Sequence, residues 1–149
     1  MKPTLQPGIK ATFSYPVPVE KTVPHVFREA PEFQDMPEVF ATGFMVALME
    51  WGCVRALAPH LDEGEGSVGV HVDVLHAAAT PPGFTVTVDV ECTEVTGRKI
   101  WFHVRAHDGA DMIGEGYHQR FIVEWERFNK RMADKAARAA GSGTAVGNG

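Results

Sequence analysis

The chain has 149 residues, 44% of them hydrophobic and 22% charged, with a formal net charge of −5. That length predicts one domain, able to bury about 68–70% of its unfolded surface. The mildly acidic balance argues against nucleic acid or an anionic membrane as the main partner. Cys53 and Cys92 fall inside a predicted helix and a predicted strand and form no metal spacing. They point to a reducing, cytoplasmic setting rather than a disulfide framework. No apolar N-terminal segment of the kind that directs secretion is expected, and no internal repeat is visible.

The first alternation lies over 8–19, where Ala11, Phe13, Tyr15 and Val17 share one face. Pro16 and Pro18 confine that strand to an edge. Residues 20–36 carry scattered apolar side chains without a period, which predicts a long, lid-like connection or a loop packed on the core. From 37 to 60 nearly every residue is apolar, so a long helix buried on all sides is expected there. Pro37 suits its first position, Glu38 complements the dipole, and Pro59 ends it. At about 24 residues it is long for a globular helix, and Glu50 and Arg55 make it too polar to span a membrane.

A turn at 62–66 leads to the clearest alternation in the chain: Val68, Val70, Val72, Val74 and His76 on one face. A second row, Phe84, Val86, Val88, Val90 and Cys92, is followed by a turn at 96–98. A third row, Ile100, Phe102, Val104 and Ala106, is followed by a turn at 108–111. The last strand, 112–125, carries Gly114 and Gly116 on one face, a sign of another element's close approach, expected to be the long helix. Residues 126–140 read as a helix with a weak apolar stripe, and 141–149 as a flexible tail. The expected domain therefore spans 1–140, with the lid-like loop at 20–36. Its class is α+β: a five-stranded antiparallel sheet wrapped around one long helix, which describes the hot-dog fold.

Three side chains stand out as candidates for chemistry: Thr42, Glu50 and His76. A carboxylate on a greasy helix is costly unless paired, so Glu50 either reaches a polar partner or serves a reaction. Thr42 has the alternative of returning its hydroxyl to a carbonyl one turn earlier, and His76 that of a satisfied polar group at a strand end. Thr42 and Glu50 lie about 80° apart around one helix and about 12 Å along it, so they line one groove without touching. A dimer offers a way to bring one chain's Thr42 near the other's Glu50. With seven histidines, chance placement is easy; His103 and His107 share a face with Lys99, Trp101 and Arg105 that looks solvated. No set of side chains has convincing zinc spacing, and neither a metal nor a cofactor is expected.

The segments Phe40-Ala41-Thr42-Gly43-Phe44-Met45-Val46 and Leu48-Met49-Glu50-Trp51 resemble the fluoroacetyl-CoA thioesterase family of hot-dog enzymes. So do Gly64-Glu65-Gly66-Ser67, His76 with 78–83, Ala106-His107-Asp108-Gly109 and Ile113-Gly114, across about 8–130. The resemblance implies Thr42, Glu50 and His76 as catalytic residues, Gly69 as a backbone contact near the acyl group, and Arg120 as a site residue. It implies a homodimer with sites at the subunit interface and an acyl-CoA substrate. Phe33 is retained in the lid-like loop, while Met36 stands where the fluoroacetate-specific member has an aromatic residue. A flexible methionine replaces a rigid gate, so a thioesterase for short acyl-CoAs is the expectation.

The expected reaction is acyl transfer from CoA to water. Glu50 attacks the thioester carbonyl or activates water, His76 carries a proton, and Thr42 orients the nucleophile or the carbonyl. Backbone N–H groups would hold the oxyanion. The competing readings are a hot-dog hydratase or dehydratase, an acyl-CoA-binding dimer without catalysis, and a purely structural dimer.

Overall fold

Side chains that alternate with period two can satisfy a sheet and bury one face of it, and the runs over 10–16, 85–96 and 99–107 do so here. The computed structural model describes residues 1–142. Its elements are β1 (Lys10–Pro16), α1 (Pro31–Gln34), α2 (Thr42–Leu57), β2 (Glu65–His76), β3 (Thr85–Thr96), β4 (Lys99–His107), β5 (Met112–Glu124) and α3 (Trp125–Ser142). Single 3-10 turns occupy Val19–Lys21, Val23–His25 and Ala58–His60. All strand pairs are antiparallel, in the order β1-β3-β4-β5-β2. The proline-flanked first strand is an edge, as its sequence predicts. Gly141 and Ser142 of the expected tail continue α3, and 143–149 lie outside the described residues.

The core forms where α2 meets the central strands. Val86, Val88, Val90 and Cys92 of β3 and Ile100, Phe102, Val104 and Ala106 of β4 are buried with Met45, Met49, Cys53 and Leu57 of α2. Each large apolar side chain so buried contributes about 1.5–3 kcal/mol. One long helix gripped by a five-stranded antiparallel sheet is the hot-dog arrangement. Phe84, expected in the inward row, precedes β3 and is exposed. The expected irregular connection over 20–36 contains the 3-10 turn at Val23–His25 and the single-turn α1.

The long helix begins later than its composition predicts. Instead of entering a helix at Pro37, residues 37–41 form a non-helical strap, bent at Glu38. Val23 N–H donates to Val39 O (3.0 Å), Phe40 N–H to Thr80 O (2.8 Å) and Ala41 N–H to Lys21 O (3.1 Å). Those tertiary bonds occupy the groups that a helical turn would need, so Ala41 becomes the extended N-cap and α2 starts at Thr42. At the other end the helix closes at Leu57, and Pro59 sits in the following 3-10 turn, in keeping with its missing N–H.

Nor is α2 buried on every side. Met45, Leu48, Met49, Gly52, Cys53, Ala56 and Leu57 form one buried face, while Trp51 and Val54 on the other are 48% and 41% exposed. The valine row of β2 is also interrupted. Gly69 pairs with Arg120 and His71 with Gln119, leaving Val70 as the extra residue of a β-bulge. A bulge reverses the alternation. Gly69 therefore joins Val72, Val74 and His76 on the helix side, and Val68 turns to the opposite face with Gly66, over which Trp125 packs.

The two strand glycines answer to different neighbours. A Cβ on Gly114 would meet Met45 Sδ at 2.7 Å and Met49 Cε at 3.0 Å, so the helix does approach there. A Cβ on Gly116 would instead collide with the backbone of Asp73 and Val74 on β2. Methionine tips swing aside; a paired strand does not. Gly116→Ala is therefore expected to cost about 1–3 kcal/mol and Gly114→Ala less. Urea unfolding of both variants checks the order, and equal losses would refute it.

Candidate functional site

Thr42 opens α2 and His76 closes β2, and a chain of hydrogen bonds brings these two ends together. Ala77 N–H donates to Ile113 O (2.7 Å), fixing the chain just past His76, and Thr80 O accepts from Phe40, two residues before Thr42. The Thr80 hydroxyl, fully buried, donates to Asp108 Oδ2 at 2.9 Å. Asp108 Oδ1 accepts the N–H groups of Ala110 and Asp111 at 2.9 and 2.8 Å. Burial would raise the Asp108 pKa, but these bonds outweigh it and hold the carboxyl below its ordinary value.

The result is a contact of 2.7 Å between Thr42 Oγ1 and His76 Nδ1. The threonine hydroxyl is thus directed at an imidazole across the fold. On the far side of the ring, His76 Nε2 is buried without a hydrogen-bond partner among the described residues. Burial lowers the His76 pKa, and a backbone bond at Ala78 offsets part of that effect. The ring is accordingly kept neutral at pH values where an exposed histidine begins to charge.

Glu50 lies two turns further along α2 and finds other partners. Its Oε1 stands 3.4 Å from Arg120 Nη1 and 3.5 Å from His118 Nε2, both side chains of β5. Arg120 is almost fully buried. It donates through Nε to Ser67 Oγ (2.7 Å) and through Nη2 to Ser67 O (2.8 Å), while Nη1 lies 3.2 Å from His118 Nε2. Gly69 is opposite Arg120, and a Cβ there would run into the Glu50 carboxylate. The bulge and the missing side chain together give that carboxylate its room. It is not sealed: the Glu50 side chain is 37% exposed.

Of the residues singled out in the sequence, the structure therefore makes two groups. Thr42 joins His76; Glu50 joins Gly69 and Arg120. Phe33 lies in α1, its ring edge-on to Phe27 at 5.6 Å, and Met36 follows it, half exposed, with its N–H donating to Phe33 O (3.3 Å). On the face of His103 and His107, Glu115 accepts from Arg105 Nη2 at 3.1 Å and lies 2.8 Å from His103 Nε2. Both cysteines are free and buried, and burial pushes the Cys53 thiol up to about 12, which disqualifies it as a nucleophile. Among the described residues no three His, Cys, Asp or Glu side chains are grouped to hold a metal, and no helix is long and apolar enough to cross a membrane.

Sequence reasoning missed His118, the Ser67 side chain and the part played by Asp108. A signal for the first existed: His118 and Arg120 are two apart on a strand, polar at consecutive inward positions.

The model of the fluoroacetyl-CoA-specific thioesterase family matches residues 19–126. A fluoroacetyl-CoA thioesterase of Streptantibioticus cattleyicolor is 53% identical over 135 residues, spanning 91% of this chain and 97% of that one. A solved structure of a fluoroacetyl-CoA thioesterase superposes with a TM-score of 0.86 at 53% identity, over 88% of this chain and 97% of the other. A Thermus thermophilus member of the thioesterase superfamily superposes with a TM-score of 0.85 at 28% identity, over 95% and 99% of the two chains. The chain belongs to the fluoroacetyl-CoA-specific thioesterase family.

Proposed function

We propose that this acyl-CoA thioesterase hydrolyses short acyl-CoAs to the free acid and CoA, with Glu50, His76 and Thr42 acting in sites shared by two subunits. The observation that carries the reading is the division of α2 into two half-sites. A hydroxyl–imidazole pair with an unsatisfied, buried Nε2 stands at its start. A carboxylate backed by a buried guanidinium stands two turns on. Within one helix they are about 12 Å apart. A second subunit running the opposite way would set one chain's Thr42 and His76 beside the other's Glu50.

The surface of the single chain supports that dimer. Trp51, Val54, Val70, Val72 and Leu75 are each at least 41% exposed and lie on α2 and on β2, an edge of the sheet. A long apolar edge strand left open invites pairing, and a second copy would both satisfy it and cover the bare face of α2. Two free, buried cysteines support a reducing, cytoplasmic setting.

In the proposed reaction the Glu50 carboxylate attacks the thioester carbonyl or takes a proton from water. The proton comes from the hydrolytic water in either route, the attacking water in the one and the water that opens the anhydride in the other. Neutral His76 passes it by way of Nε2 to the leaving thiolate while its Nδ1 holds the Thr42 hydroxyl. Arg120 holds Glu50, and backbone N–H groups at the shared interface receive the developing oxyanion. Trapping in labelled water during a single turnover distinguishes the anhydride route from the general-base route. The relative's name carries fluoroacetyl-CoA, so that thioester belongs among the substrates to assay. Met36, flexible and half exposed where the family resemblance expects an aromatic gate, favours a wider range of short acyl groups. A thiol-release assay over a panel of short acyl-CoAs, fluoroacetyl-CoA included, tests the substrate class; no thiol release from any would overturn it.

Glu50→Gln, nearly isosteric, is expected to fold and to lose about 10²–10⁴ in kcat. An unchanged kcat would remove Glu50 from the reaction. His76→Ala should depress activity while leaving the melting temperature nearly unchanged, since the ring ends the strand instead of filling the core. In the parent protein, activity should fall as His76 protonates, with a midpoint below the ordinary histidine value of about 6.5 because burial lowers its pKa. Mixed dimers of Thr42→Ala and Glu50→Gln subunits should regain up to one working site. Verified heterodimers without activity, or a monomer by light scattering, would refute the shared site.

A further inference from the structure

Behind Glu50 stands a buried histidine that the reaction above does not use. His118 is 2% exposed, and its two ring nitrogens have different neighbours. Nδ1 lies 2.8 Å from His71 O. A carbonyl can only accept, so Nδ1 carries the proton. In the neutral ring Nε2 is then a bare lone pair, and the donor facing it is Arg120 Nη1 at 3.2 Å. The same Nη1 is 3.4 Å from Glu50 Oε1 and has a hydrogen for each acceptor. Ser67 holds the other two nitrogens of the guanidinium.

We propose that His118 is a positioning residue for the thioesterase site: fixed as the Nδ1–H tautomer by the His71 carbonyl, it accepts from Arg120 and so sets the guanidinium that aims Glu50. The proposal rests on Glu50 being the acting carboxylate. Its physical basis is the geometry of the guanidinium, a planar fork whose direction is decided by all of its acceptors together. Ser67 fixes one edge of that fork. Without an acceptor at His118, Nη1 is constrained only by Glu50, the group it is supposed to position. A charged imidazolium would fail here, because Nε2–H would point at the guanidinium. Burial lowers the His118 pKa; the bond at His71 opposes that, and Arg120 adds to the lowering. The groups facing the ring are Arg120 on its own strand, Glu50 on α2 and His71 on β2, with the apolar Phe102 opposite on β4.

The test compares His118→Leu, which keeps an apolar body and removes the acceptor, with His118→Gln, whose amide oxygen can take the place of Nε2. Both are assayed for thiol release beside the parent enzyme and Glu50→Gln. The Leu variant should lose about tenfold to a hundredfold in kcat, the scale of a misplaced reacting group, with little change in KM. The Gln variant should restore most of that loss. Nitrogen chemical shifts of the labelled His118 ring in the parent protein, near neutral pH, should report a protonated Nδ1 and a bare Nε2. If the Leu variant fails to fold, the ring tautomer and the kcat of the Gln variant still decide. A protonated Nε2, a Gln variant as slow as Leu, or a fully active Leu variant beside an inactive Glu50→Gln would each overturn the role of His118. Full activity in Glu50→Gln would instead overturn the reading of Glu50, and with it the purpose of positioning Arg120.

Discussion

A carboxylate placed on an apolar helix has to be given a partner, and much of this molecule is arranged around the partner given to Glu50. Arg120 can reach it only because β5 turns that side chain inward, against the helix. The guanidinium in turn is buried, so its N–H groups need acceptors beyond Glu50. Ser67 on the neighbouring strand accepts two of them and His118 on the same strand a third. Ser67 lies on that side of β2 because of the bulge at Val70, and Gly69 leaves the space that a side chain would take from the carboxylate. Removing one member strands the others: Arg120 without Glu50 would be a buried cation short of its counter-charge.

The second half of the site depends on a different kind of constraint. Thr42 and His76 are 34 residues apart, one at the first residue of α2 and the other at the last of β2. They are joined from behind, by backbone bonds from the strap before α2 to the loop after β2, with Asp108 anchoring that loop through Thr80. Starting the helix at Thr42 puts the hydroxyl at the first turn, where it can face the end of β2. Five residues of potential helix are given up for that position, and the strap's tertiary hydrogen bonds replace those the helix would have made.

One chain presents these two halves on an incompletely covered surface. The outer face of α2 and the edge strand β2 carry apolar side chains in solvent, beside a carboxylate that is one-third exposed. Burial of the first face of α2 builds the fold; in the proposed dimer, burial of the second would complete the shared site. The exposed apolar residues of the isolated chain are the ones that proposed partner would cover.

The sequence by itself determined the strands, because alternation of apolar side chains is a local property that each segment carries alone. The inward rows of β3 and β4, the edge position of β1 beside its prolines, and the close approach of α2 to Gly114 are all legible in residue order. So was the segregation of Glu50 from Thr42, since helix pitch fixes their separation. The faces of β2 were not legible: a single unpaired residue, Val70, reverses the alternation, and whether a strand bulges is decided by its partner's register. The start of α2 was not legible either, since Pro37 and Glu38 suit a helix and only bonds to Lys21, Val23 and Thr80 draw them out of it. The partners of Glu50 lie on β5, about seventy residues away in the chain. Long-range packing alone decided that the buried cation facing it is Arg120, and that His118 stands behind them both.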